Sequence, residues 1–156
     1  MSVKTAATKQ YRAIVDRAAT SAARDLSLPA EGWIATVRKA LGMSGPQLGR
    51  RLGLTRARIS QAEQAEPSGG ITLKTMQSVA QAMGCRFVYA IVPAEGCIED
   101  VITVQARKRA KALVERAAIH MALEKQSLSE AQNSNEIKRI AHELARTMPA
   151  DLWAQD

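Results

Sequence analysis

The stretch SGPQLGRRLGLTRARISQAE, residues 44–63, decides the fold of this chain, because it predicts two short helices joined by a tight turn. Ser44 and Thr55 are residue types that cap helix N-termini, and Pro46 falls in a first turn, where its missing N–H costs nothing. Gly53 suits the left-handed residue that ends a helix. This spacing is that of a helix-turn-helix unit.

The apolar positions of the same stretch support this prediction. Gly49 is small where the two helices would approach each other closely. The side chains expected to face inward are Leu48, Gly49 and Leu52 from the first helix, Leu54 from the turn, and Ile59 and Ala62 from the second helix. The outer face of the second helix is then left to polar side chains that folding does not require.

Four arginines crowd this stretch, and no acidic residue precedes Glu63 within it. Cations held close together repel one another, so a partner that neutralises them is expected. The wider charge pattern agrees: residues 1–60 hold eleven Lys/Arg against three Asp/Glu, a net +8, whereas residues 61–156 hold eleven against twelve, a net −1. A one-sided basic field attracts polyanions, nucleic acid first and an anionic membrane second.

The second helix of such a unit places its N-terminal face in the major groove of DNA. Arginine there can bind guanine O6 and N7 together, glutamine can read adenine, and alanine can contact a thymine methyl. Hydroxyl and N–H groups at helix starts suit phosphate, and further arginines add long-range attraction. The predicted DNA-binding residues are Arg56, Ala57, Ser60 and Gln61 for bases, Ser44, Gln47, Thr55 and Arg58 for phosphates, and Arg50 and Arg51 for long-range attraction. An ordinary solvated face on a helical pair is the alternative reading.

Further helices are predicted around this unit. The chain is 46% hydrophobic but only 3% aromatic, which suits helices packed through small aliphatic side chains. Ser127 and Glu130 form a capping box that would open the last helix. Apolar residues at helical spacing indicate the other helices over residues 4–26, 33–41, 73–83 and about 98–125.

One strand is predicted, over FVYAIV, because most of its residues are β-branched or aromatic. A lone strand leaves its backbone groups unpaired, and no second strand is evident, so pairing between two copies is expected. The predicted dimer strand consists of Phe87, Val88, Tyr89, Ala90, Ile91 and Val92. The fold class is therefore mostly α, a helix-turn-helix bundle with one β-strand. The predicted domains are an N-terminal helical extension over 1–31, the DNA-binding domain over 32–93 with strand 86–92, and a C-terminal helical region over 94–156.

Several kinds of function are disfavoured. No nucleophile–base pattern, phosphate loop or pair of catalytic acids is evident, so neither an enzyme nor a cofactor is expected. His120 and His142 stand alone, and Cys85 and Cys97 lack metal-ligand spacing, so no metal is expected. No apolar run approaches the roughly 20 residues that cross a bilayer. A cytoplasmic protein with reduced thiols and no membrane partner is the expectation.

MSGPQLGRRLGLTRARISQAEQAE, followed by ITLKTMQSVAQAMG, resembles the Cro-type phage-repressor (XRE) helix-turn-helix family. Glu63 stands where that family usually places a glutamate that closes the recognition helix. Gly45 stands where those repressors often carry a phosphate-binding glutamine, and Gln47 lies two residues on. The resemblance implies a Cro/phage-repressor-like bundle.

The stretches GWIATVRKALGMSGPQLGRRLGLT, ITLKTM, GCRFVYAIVP, HMALE and ADLW are similar to the family named mobile mystery protein A. Members are small helix-turn-helix proteins typically encoded beside a Fic-domain partner. The resemblance implies an antitoxin-like regulator that binds its own operator and has a Fic-domain toxin as a partner. Ser27-Leu-Pro-Ala-Glu31-Gly32 matches the letters of the inhibitory helix of other Fic antitoxins, but Pro29 and Gly32 argue against a helix there.

Three functions remain open from the sequence. The first is a dimeric, sequence-specific repressor of the antitoxin type that binds an inverted repeat in double-stranded DNA. The second is an antitoxin that acts mainly by binding and neutralising a Fic-domain enzyme. The third is a nucleoid-type binder with little sequence preference, which competition with random DNA would expose.

Overall fold

A computed structural model describes residues 3–23, 26–124 and 128–154, and the regular secondary structure of these residues is helical. The described α-helices are α1 Val3–Ala18, α2 Trp33–Ala40, α3 Gly45–Leu52, α4 Arg56–Ala65, α5 Leu73–Ala82, α6 Ile98–Leu123 and α7 Glu130–Thr147. A short π-helical segment, Ala19–Ala23, extends α1. Across the described residues, no helix is both long enough and apolar enough to span a bilayer.

The chain divides into two compact units. We call Asp25–Ala90 the central unit and Met1–Arg24 together with Ile91–Asp156 the flanking unit. The N-terminal helix thus groups with the C-terminal helices. Arg12 pairs with Glu99, and the Asp16 carboxylate accepts a hydrogen bond from the Ile98 N–H at 2.9 Å. The sequence-based domains treat the N-terminal helix as a separate extension.

The central unit has one core to which helices α2–α5 all contribute. Its buried members are Ile34, Leu48, Ile59, Met76, Val79 and Met83. The predicted inward positions Leu48 and Ile59 are confirmed, and Leu52 and Ala62 pack against this core while partly buried. The prediction for Leu54 is wrong, because 41% of this residue is exposed. The backbone of Leu54, rather than its side chain, packs against Gly49 in the turn.

The flanking unit is built on the antiparallel hairpin of α6 and α7. Its buried apolar residues are Ile102, Ala106, Ala110, Val114 and Leu152. None of the residues of α7 is buried. Ser129 caps α7 by a capping box with Gln132. The predicted capping residue Ser127 lies outside the described residues.

The predicted strand is absent from the described single chain. Phe87–Val92 has no regular secondary structure, although Phe87 packs against the central core. A strand exists only when a neighbouring segment accepts and donates its backbone hydrogen bonds, and no described segment of the same chain does so here. Within one chain, the prediction of a strand is therefore wrong for Phe87, Val88, Tyr89, Ala90, Ile91 and Val92.

Candidate nucleic-acid interface

We call α3, α4 and the turn between them, residues 44–65, the corner. Both of its helices begin at hydroxyl caps, as predicted. The Ser44 Oγ accepts a hydrogen bond from the Gln47 N–H at 3.3 Å, while the Ser44 N–H donates to Gln47 Oε1 at 2.7 Å. The Thr55 Oγ1 accepts from the Arg58 N–H at 3.3 Å. Each cap fixes where its helix starts and so where the remaining free N–H groups of the first turn point.

The turn between α3 and α4 is closed by backbone contacts. Gly53 adopts φ 66° and ψ 28°, the left-handed conformation that glycine tolerates best. The Leu54 N–H donates to the Gly49 carbonyl at 2.8 Å. A Cβ added at Gly49 would lie only 2.5 Å from the Leu54 carbonyl oxygen, so any larger residue must displace backbone. Gly49 is therefore required by the turn itself.

The outer face of α4 carries the predicted base-reading side chains. Arg56, Ala57, Ser60 and Gln61 are all exposed, and their i, i+1, i+4, i+5 spacing puts them on one side of the helix. Gln64 is exposed four residues after Ser60 and continues this face. Continuing the same spacing would have identified Gln64 from the sequence.

Three of the arginines keep their charge available. The guanidinium groups of Arg50, Arg56 and Arg58 are exposed and have no ion-pair partner among the residues that the structure describes. Arg51 is also exposed, but one of its nitrogens donates to the Ala82 carbonyl at 3.0 Å, at the C-terminal end of α5. Arg51 thus has a structural role beside its charge.

One predicted phosphate-binding residue, Gln47, lies beside the two arginines predicted for long-range attraction. Gln47, Arg50 and Arg51 line one polar depression of about 420 Å³ on the side of α3. Gly45, at the start of α3, lies beside Arg56, since a Cβ built on it would be 4.0 Å from Arg56 Cγ. The starts of α3 and α4 therefore lie together. The oxygen of Gln47 is used by its cap, and its amide NH₂ group has no partner among the described residues.

An ion pair behind the corner was not expected from the sequence. Arg38 of α2 donates from Nε to Glu63 Oε1 at 2.5 Å and from a second nitrogen to Glu63 Oε2 at 3.1 Å. A third bond reaches the Met43 carbonyl at 2.8 Å, just before α3. The hydrogen bond to Glu63 raises the pKa of Arg38 above its ordinary value, against the opposing effect of burial. One side chain thus connects α2, α4 and the approach to α3.

Glu66 fixes the N-terminus of α2 from the far end of α4. Its two carboxylate oxygens accept from the Trp33 N–H at 2.7 Å and the Ile34 N–H at 2.8 Å. These are two of the backbone donors that a helix start leaves unpaired, and a negative charge suits the positive end of the helix dipole. Gly32 has no side chain where one would collide with this carboxylate.

Other sequence candidates do not form sites in the described part of the chain. The stretch from Ser27 to Glu31 is not helical, and Glu31 pairs with Lys39. Over the residues that are described, no group of His, Cys, Asp and Glu side chains has the arrangement needed to hold a metal ion. Cys85 and Cys97 are both free thiols.

Comparison with known proteins agrees with this geometry. Residues 34–89 match the helix-turn-helix family HTH_3, so the chain contains a DNA-binding domain of the XRE type. The match covers α2–α5 and the beginning of the segment that follows them. No curated protein and no solved structure matches the chain.

Proposed function

We propose that this protein is a sequence-specific transcriptional repressor that binds an inverted repeat in double-stranded DNA as a homodimer. The observation that carries this proposal is Arg56 at the start of α4, beside the capped start of α3: it is exposed and has no ion-pair partner in the described part of the chain. An arginine without a carboxylate partner keeps all its donors for a guanine edge or a phosphate.

The exposed groups of the corner suit two kinds of contact with DNA, to base edges and to phosphates. Arg56, Ala57, Ser60 and Gln61 would read base edges in the major groove, with Gln64 extending the face. Ser44, Gln47, Thr55 and Arg58 would bind phosphates together with N–H groups at the helix starts, and Arg50 and Arg51 would add electrostatic attraction. The ion pair of Arg38 with Glu63 would hold the reading helix against the domain during binding.

The segment Phe87–Val92 supports a homodimer. Its backbone is unpaired in the described chain, and Val88, Tyr89 and Ile91 are exposed, with Ile91 90% exposed. Pairing with the same segment of a second copy would satisfy the backbone and cover these side chains. Two reading helices would then bind half-sites about one helical turn apart, roughly 34 Å.

A gel-shift titration tests the DNA proposal. The double variant Arg56→Ala, Gln61→Ala should lose operator binding while remaining folded, because two base-reading side chains are removed and no core contact is. Ser68→Ala, in the exposed loop after α4, is the matched control and should bind like the wild type. Equal binding by the double variant and the wild type would refute the proposed reading face.

Competition with random DNA separates a repressor from a nucleoid-type binder. A repressor should prefer its own upstream site by about a thousandfold or more at physiological salt. A preference close to unity would favour the nucleoid-type alternative, and it would not affect the assignment of the corner as a DNA-binding surface.

We also propose that the protein is the antitoxin-like component of a Fic-type toxin–antitoxin pair. The proposal rests on the resemblance to mobile mystery protein A, and α1 offers a surface for such a partner, since Tyr11 and Ile14 are exposed on it. Direct neutralisation of a Fic-domain enzyme is the alternative function. Co-expression with a Fic-domain protein of the kind that the resemblance implies tests this: the double variant Tyr11→Ala, Ile14→Ala should lose protection but keep operator binding. Protection by this variant would refute α1 as the contact.

A further inference from the structure

The half of the α6–α7 hairpin that lies towards its loop is incompletely packed. It consists of two helices, and an apolar groove of about 540 Å³ runs between them, lined by α6, α7 and Leu128 just before α7. Leu113 is 36% exposed and Leu128 42% exposed, although both lie at this groove. An amphipathic helix stabilises a fold by burying its apolar face against another element. Here the described chain supplies no third element.

The apolar side chains of the groove are aligned for a helical partner. Leu113, Ala117 and Met121 recur every four residues along α6, which puts them in one row facing the groove. Ile140 stands across from them on α7. The small residue Ala117, at the centre of the row, leaves room for a knob from a facing helix.

The polar rim of the groove indicates which partner fits. Its only ionisable residues in the described chain are Glu136 and Arg139, and they neutralise each other through two hydrogen bonds, of 2.7 Å and 3.0 Å. The remaining polar side chains are the amides Gln132, Asn133 and Asn135, each with both donors and acceptors. A surface that is neutral and carries both hydrogen-bonding types is compatible with an identical copy of itself, because no charge repels its equivalent.

The opposite side of the hairpin differs in this respect. The groove there is lined by the cations Arg107, Lys111 and Lys138 and by only two carboxylates, Glu115 and Glu130. This groove carries a net charge of +1, so two copies would place like net charges against each other. The neutral groove is therefore the better surface for contact between identical chains.

We propose that a second copy of this chain docks its α6–α7 hairpin in the neutral groove, so that two hairpins form a four-helix bundle. This proposal rests on the proposed function, which expects two copies to bind DNA together. It adds a contact between the copies that is separate from Phe87–Val92. In such a bundle Leu113, Met121 and Leu128 of both copies form a core that one copy cannot complete. The repressor would thus be joined by its C-terminal helices, whether or not DNA is bound.

Sedimentation of the full chain tests the proposal. Ala117→Glu places a charge in the centre of the proposed core and should raise the dimer dissociation constant roughly 100-fold or more. The matched control is Ala122→Glu, an identical change at an exposed position of α6 that lines neither groove; it should sediment like the wild type. Circular dichroism of both variants verifies that the helices remain.

Methionine methyl NMR of the wild type gives a second readout that needs no variant. Met121 lies in the groove, whereas Met83 lies in the central unit beside the segment from Phe87 to Ala90. Dilution through the dimer dissociation constant should shift the Met121 methyl signal. A shift at Met83 alone would assign the dimer to Phe87–Val92 and overturn the inference.

DNA binding separates failure of this inference from failure of the proposed function. If the inference holds, Ala117→Glu dimerises roughly 100-fold or more weakly than the wild type and still binds a single half-site with wild-type affinity, because α4 is untouched. If Ala117→Glu has the same dimer dissociation constant as the wild type, the hairpin contact is refuted while the repressor proposal stands. If the wild type is monomeric at all concentrations, including those of NMR, the groove does not hold a second copy and the inference is refuted.

Discussion

Replacing Arg38 by methionine tests whether the ion pair behind the corner holds the reading helix in place. Methionine keeps most of the aliphatic volume and removes the charge, so Glu63 is left without its partner and the Met43 carbonyl without its donor. The two side chains are 15% and 18% exposed. Such a half-broken pair is costly because an unpaired carboxylate remains largely out of water.

The magnitude follows from that burial. Breaking one partner of a fully buried pair costs about 3–5 kcal/mol, and partial exposure lowers the figure to about 2–4 kcal/mol. This is a large part of the roughly 5–15 kcal/mol that stabilises a typical domain. With a urea slope of about 1 kcal/mol per molar, typical of a small unit, the unfolding midpoint of the central unit should fall by about 2 M or more.

Urea unfolding followed by tryptophan fluorescence measures this shift. Trp33 lies in the central unit and Trp153 in the flanking unit, and the chain has two tryptophans, so a Trp153→Phe background makes the signal specific for the central unit. Arg139→Met is the control, since it breaks an exposed ion pair of α7 and should leave the Trp33 transition in place.

A double variant shows whether the cost comes from the unpaired charge. In Arg38→Met, Glu63→Met no carboxylate remains, and most of the lost stability should return, to within about 1 kcal/mol of the wild type. An unchanged midpoint for Arg38→Met would refute the structural role of the pair. A double variant no more stable than Arg38→Met would show that packing, rather than an unpaired charge, causes the loss.

Three further predictions test the turn, the electrostatic attraction to DNA and the acid response of α7. Gly49→Ala should destabilise the central unit by about 1–3 kcal/mol, because its Cβ would displace the turn backbone; Gly45→Ala, whose Cβ would meet only Arg56 Cγ at an ordinary 4.0 Å, should not, as urea unfolding will show. Arg50→Ala should weaken binding to all sequences similarly and lower the slope of log K against log salt by up to about 0.9. The hydrogen bond from Arg146 lowers the pKa of Glu143. The stability that the ionised Glu143 contributes is therefore present at neutral pH and is lost as the pH falls through this lowered pKa. Between pH 7 and pH 3, the melting temperature of Glu143→Gln should therefore decline less than that of the wild type.

The corner itself could be predicted from the sequence, because its determinants are local. Ser44, Gly53 and Thr55 act within three or four residues of their own positions, through caps and a left-handed turn. The predicted cap Thr55 directly precedes α4, Arg56–Ala65. The exposed face of α4 followed from the same periodicity, which is why Arg56 and Gln61 are found outside the core.

The contacts that connect distant segments could not be predicted in this way. Arg38 finds Glu63 25 residues later, and the Ile34 N–H finds Glu66 32 residues later. Arg12 pairs with Glu99 across 87 residues, and this contact helps place α1 in the flanking unit. Periodicity reports which side of a helix is apolar, and it carries no information about which polar residue of another helix will face it.

The strand prediction was wrong within the single chain for a related reason. FVYAIV has the composition of a strand, but β-structure is completed by a neighbour and not by propensity. The same composition remains consistent with pairing between copies. Composition therefore predicted that the segment could pair with another strand. The described residues of the single chain contain no strand for it to pair with.

The corner separates the residues that build it from those proposed to read DNA. Gly49, Gly53 and the pair of Arg38 with Glu63 fix the geometry from inside or behind, whereas the side chains of Arg56 and Gln61 form no hydrogen bond or ion pair with other residues that the structure describes. Substitutions on the reading face should therefore change which operator is bound without destabilising the domain, and substitutions behind it should change stability without changing the preferred sequence. Arg51 is an exception, since it contributes charge to the α3 surface and also binds the Ala82 carbonyl. Its replacement should affect stability and DNA affinity together, and observing only one of the two effects would show which role the residue has.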